Sequence, residues 1–133
     1  MATIKRFEDL DVWKISRDLC SKIGFLIDSN NFEKNYRLIG QIEGSCGSIM
    51  DNIAEGFERG TKNEFIVFLG YSKGSCGELR SQLYRALDRK YIDQNQFDEF
   101  KTLATRISAM LQKFIIYLQQ TNIKGFRKKN ANL

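Results

Sequence analysis

The chain contains no proline and no histidine among its 133 residues. Proline breaks helix interiors, because it lacks an N–H and its ring clashes with the preceding turn. Its absence suits long helices joined by short turns. Without histidine, the Ser-His-Asp and Cys-His nucleophile arrangements are excluded. So are the Glu-x-x-His sites of di-iron bundles. Cysteine is scarce: Cys20, Cys46 and Cys76 form an odd set with no C-x-x-C spacing. That pattern argues against a zinc site and against a disulfide framework, and reads as reduced, packed thiols. No apolar run approaches the roughly 20 residues needed to span a membrane. The first residues, Met-Ala-Thr-Ile-Lys-Arg-Phe-Glu, lack the apolar core of a secretory signal. The expectation is a cytoplasmic protein that is not an enzyme, with no cofactor, no metal and no membrane partner.

What remains is the composition of an ordinary globular domain, with 42% hydrophobic and 28% charged residues. Its length fits one domain with a real core. Lys and Arg number 21 against 16 acidic residues. Four of the 21 lie in Lys124-Gly-Phe-Arg127-Lys128-Lys129, a segment without a carboxylate, so residues 1–123 are nearly neutral at +1. The domain reading is therefore a helical body over 1–123 and a basic, flexible tail over 124–133.

The most unusual feature is a repeated string. Gly40-Gln-Ile-Glu-Gly44-Ser45-Cys46-Gly47 recurs thirty positions later as Gly70-Tyr-Ser-Lys-Gly74-Ser75-Cys76-Gly77. Both copies lie within helical apolar spacing. Glycine inside a helix costs roughly 1 kcal/mol relative to alanine, so six cost on the order of 5 kcal/mol. Close approach of helix backbones would offset that. The spacing predicts Gly44, Gly47, Gly74 and Gly77 at helix-packing or subunit contacts, within one chain or between chains.

Apolar periodicity predicts four helices. The first runs from about 9 to 28 on Val12, Ile15, Leu19, Ile23 and Leu26. The second, from about 33 to 56, uses Ile39, Ile42, Cys46, Ile49, Ile53 and Phe57, with Gly56 as its C-terminal stop. The third opens at a capping box, Thr61-Lys-Asn-Glu64, and runs to about Asp88. A weaker start at Asp93-Gln-Asn-Gln96 leads into the fourth, which carries Phe97, Phe100, Ala104, Ile107, Leu111, Phe114 and Leu118. Short connections make sequential helices antiparallel neighbours. The fold class is all-α, an antiparallel up-down-up-down four-helix bundle.

Three strings are recognisable. They are Phe7-Glu-Asp-Leu10-Asp-Val12-Trp13, Ser48-Ile49-Met-Asp-Asn52-Ile53-Ala54-Glu55-Gly56-Phe57, and the third-helix pattern Phe68-Leu69, Gly74-Ser75, Glu78-Leu79 and Gln82-Leu83. Together they resemble the bacterial four-helix bundle family encoded in intervening sequences of 23S rRNA genes. Its members are often labelled ribosomal-protein-like. A related branch is the accessory protein of diversity-generating retroelements. The family often has proline two residues before the asparagine, where this chain has Met50. The resemblance implies a homopentamer with a basic surface that associates with nucleic acid, with RNA favoured, or that serves a polymerase such as a reverse transcriptase.

Several side chains carry two readings each. Asn52 and Glu55 make either a polar site or an ordinary helix terminus. Arg80, Arg85, Arg89 and Lys90 form either a nucleic-acid surface or a complement to the helix dipole. Lys124, Arg127, Lys128 and Lys129, with Phe126 among them, either grip phosphate and stack a base or only solubilise the end. Trp13 lies beside the main stripe, at a subunit interface or in the core.

Overall fold

The computed structural model describes residues 4–30 and 32–121, and there the chain is all-helical. After a short 3-10 helix at Phe7–Asp9 come α1 (Asp11–Ser29), α2 (Tyr36–Glu58), α3 (Lys62–Asp88) and α4 (Gln94–Gln120). They pack as an antiparallel four-helix bundle, most extensively along α2 and α3. The tail cations Lys124, Arg127, Lys128 and Lys129 lie outside the described residues.

The periodic positions make the core. Leu19, Ile49, Ile53, Leu69, Leu79, Ala104, Ile107 and Leu111 are fully buried. Ile15, Ile39, Phe68 and Phe114 are only partly buried, while Ser16, Leu38, Gln82 and Ile115 are buried in flanking positions.

Two helix ends differ from expectation. Gly56 is not the stop of α2, which continues to Glu58. The turn is made at Gly60, whose φ of +87° suits a residue without Cβ. Gly56 instead permits close packing: a Cβ there would lie 2.6 Å from the Phe68 Cβ. The capping box expected at Thr61 is half made. Thr61 Oγ1 accepts from the Glu64 N–H, but the Glu64 carboxylate takes the Thr61 hydroxyl instead of its backbone N–H. The full box belongs to Asp93 and Gln96, whose side chains each accept from the other's backbone N–H.

The repeated string packs differently from the glycine expectation. A Cβ added at Gly44, Gly47 or Gly74 would meet nothing within 4 Å, and one at Gly77 only the Arg80 guanidinium at 3.6 Å. Close backbone approach within the chain does not occur at these four. The reason is phase: the residues between the glycines turn inward. Ser45 donates to Glu78 Oε1 at 2.9 Å, Ser75 to Ser48 Oγ at 3.0 Å, and Ser72 to the Ile49 carbonyl at 2.7 Å. Small hydroxyls link α2 to α3, and Gly44 and Gly74 face outward.

Candidate nucleic-acid interface

The end of α3 is built around Tyr91. Lys90 has φ +62°, its N–H bonds the Leu87 carbonyl, and the Tyr91 N–H bonds that of Ala86. This is a Schellman closure with lysine where glycine is usual. It turns the Tyr91 ring inward, where it is 7% exposed and stacks on Phe32 at 5.4 Å. Phe32, Glu33 and Lys34 all have positive φ, so the chain between α1 and α2 makes a left-handed turn over that ring. Asn30 donates to the Tyr91 carbonyl and Asn35 to its hydroxyl. Asn35 also caps α2 by accepting from the Leu38 N–H.

This scaffold fixes the start of α2 against the end of α3. Arg85 and Arg89 line a cleft of about 240 Å³ with Asn35, Leu38 and Asp88. Arg85 donates to Gln41 at 2.9 Å, and Arg89 lies over the Tyr91 ring at 5.7 Å. Arg37 is on α2 one turn before Gln41, and Tyr36 beside it is 66% exposed. Among the described residues, neither Arg37, Arg85 nor Arg89 makes an ion pair. Asp88 is the one carboxylate lining the cleft. Exposed guanidiniums can hold phosphate, and an exposed ring at the same end of the bundle can stack a base.

Of the four α3 and turn cations, Arg85, Arg89 and Lys90 share this end. Arg80 does not, because nine residues separate it from Arg89 and put it half a turn away on the helix. It lies by Gly77 on the flank nearer α4, where Tyr84 packs on Phe97. Sequence reasoning missed Tyr36, Arg37 and Tyr91. The string Lys34-Asn-Tyr-Arg37 held the signal, a cap residue followed by an aromatic and a cation.

At the opposite end Asn52 bonds Ser48 through its backbone carbonyl and hydroxyl, both at 2.8 Å. Glu55 pairs with Arg59 at 2.8 Å, and Arg59 covers the Phe68 ring. Both contacts are local, one within α2 and one to the Arg59 that follows it. Trp13 is half-buried, edge-on to Phe7, with Arg17 over its ring. A larger cavity of about 450 Å³ lies between α1 and α4, but Lys22 and Glu99 balance in its lining. It offers phosphate no net attraction. No helix among the described residues is long and apolar enough to cross a membrane.

No curated protein matches the sequence. A solved structure from Bacteroides thetaiotaomicron, of a protein of unknown function from the S23 ribosomal protein family, is similar in fold. It has 23% identity and a TM-score of 0.71, over 78% of this chain and 97% of that one. The family model for the 23S rRNA-intervening sequence protein matches residues 8–113, most of the bundle. The chain belongs to the 23S rRNA-intervening sequence protein family.

Proposed function

We propose that this protein is a non-enzymatic, cytoplasmic homo-oligomer, a pentamer, that binds RNA with the end of the bundle where α2 starts and α3 stops. The observation that carries the reading is that Arg85 and Arg89 line one cleft with no ion pair among the described residues, at the end of the bundle that also carries the exposed Arg37 and Tyr36 at the start of α2. The body is nearly neutral by count, so one weakly basic surface binds weakly, and repetition around a ring supplies avidity. Exposed Phe25, Val67 and Tyr71 offer apolar area for self-association.

Binding to mixed-sequence single-stranded RNA across a salt series tests this. Each phosphate contact contributes about −0.7 to the slope of log affinity against log salt. The double variant Arg85→Gln/Arg89→Gln should bind more weakly and flatten the slope by roughly 1.4 per protomer engaged. Arg80→Gln should leave it nearly unchanged. Removal of residues 124–133 measures the tail's share separately. Equal affinity and slope for the double variant and the parent would refute this surface. A stable monomer in light scattering at micromolar concentration would refute the oligomer. If the parent binds no RNA alone, the alternative role stands: a scaffold beside a polymerase that supplies the nucleic-acid contact.

A further inference from the structure

The thiols of Cys20 and Cys46 meet where α1 crosses α2. Their sulfurs are 3.1 Å apart, with the Cys46 S–H donating to Cys20 Sγ and the Cys20 S–H donating to the Cys46 carbonyl at 3.0 Å. Both thiols are free, as is Cys76. Cys46 is 2% exposed, while Cys20 is only partly buried. Cys20 is therefore the more accessible of the two, with the Cys46 sulfur in contact with its own. A disulfide needs the sulfurs about 2.05 Å apart, so closure requires about 1 Å of movement from two side chains already in contact.

We propose that Cys20 and Cys46 are a redox pair, closed by hydrogen peroxide into a disulfide that staples α1 to α2. The Cys20 thiolate attacks the peroxide O–O bond, giving a sulfenic acid and releasing hydroxide, which takes the proton that Cys20 lost and becomes water. The Cys46 sulfur then attacks the Cys20 sulfur. The S–O bond breaks as the S–S bond forms, and the hydroxyl leaves with the Cys46 proton as a second water. Two thiols lose two electrons and one peroxide gains them. The hydrogen bond from Cys46 favours the Cys20 thiolate and lowers the Cys20 pKa, against the opposing effects of burial and of Asp51. A thiol reductant reverses the bond by attack at the more accessible Cys20 sulfur. Cys76 on α3 is fully buried and stays out of the exchange.

The test treats the full chain with hydrogen peroxide, alkylates remaining thiols after unfolding and maps a non-reducing digest by mass spectrometry. The expected result is a Cys20–Cys46 linked peptide lighter by two hydrogens, an alkylated Cys76, and complete reversal by dithiothreitol. The closed loop spans 26 positions, so the oxidised chain should melt higher by on the order of 10 °C. Cys76→Ala should still form the link, and Cys20→Ser should abolish it. Should Cys46→Ser fail to fold, Cys20→Ser, at the more exposed site, serves alone as the control. Sulfinic acid at Cys20 with Cys46 still alkylated would overturn the proposal. So would three unreacted thiols in a folded chain.

Discussion

Ser72 of α3 donates its hydroxyl hydrogen to the carbonyl oxygen of Ile49 on α2 at 2.7 Å, and both residues are fully buried. The bond requires a small side chain, because only a short reach lets a hydroxyl on one helix touch the backbone of another. Ser72→Ala should lose about 1 kcal/mol, the usual net worth of one such bond. Ser72→Leu should lose more, about 1–3 kcal/mol, by forcing the helices apart. Urea unfolding of both variants checks the order.

Two glycines should respond to alanine with opposite signs. At Gly74 the new methyl meets open space, so Gly74→Ala should stabilise by about 0.5–1 kcal/mol through helix propensity. At Gly56 it would lie 2.6 Å from the Phe68 Cβ, which cannot swing away. Gly56→Ala should therefore destabilise by about 1–3 kcal/mol despite the same propensity gain. Thermal melts of the pair decide it. A loss of assembly in Gly74→Ala without a loss of helix content would assign that glycine to a contact between chains.

Lys90 occupies the left-handed position of the α3 closure, where glycine is relaxed and lysine is strained. Lys90→Gly should raise stability by about 0.5–1 kcal/mol. Under the RNA reading the same change removes a cation from the binding end. Higher melting temperature with weaker RNA binding would mark a residue kept for charge at the expense of backbone comfort. Unchanged binding would leave Lys90 outside the surface.

Burial pushes the Cys76 thiol up from 9.0 to about 12, against the opposing influence of Arg80 and Lys73. In the unfolded chain the thiol ionises near its ordinary value. Below pH 9 both states hold the proton, and the full stability is present. Between about pH 9 and 12 only the unfolded state releases it, so stability falls by up to about 1.4 kcal/mol per pH unit. Cys76→Ala should show a flatter decline over that window in chemical denaturation. Identical slopes would show that the thiol ionises as readily inside as out.

Legibility in the sequence followed the range of the interaction. Helix existence and the buried stripe were readable because both rest on local period: Leu19, Ile49, Leu79 and Ile107 fall where three-four stepping puts them. Helix ends were less so. Thr61 and Asp93 present the same spacing to Glu64 and Gln96, yet only the second pair closes fully, since Arg59 also draws on the Glu64 carboxylate at 3.8 Å. The glycine string exposed a subtler limit. Its composition announced close packing, but whether Gly44 or Ser45 faces α3 depends on the helix's rotational setting, a tertiary fact. The basic end depended on the same kind of information. Arg85 and Arg89 stood out as a pair on one helix, whereas the start of α2, which carries Arg37, reaches the same end of the bundle through a left-handed turn that folds Phe32 onto Tyr91.

Only residues 59–61 separate α2 from α3, and Gly60 turns the chain between them. The most extensive interface in the bundle is therefore also the one closed by the shortest loop. Its contacts form at little chain-entropy cost and at low sequence separation, the conditions for early and rapid formation. Loop length and contact extent together favour the α2–α3 hairpin as the unit that forms first, with α1 and α4 packing onto it. Its inner amides should be the last to exchange with solvent, and those of α1 among the first.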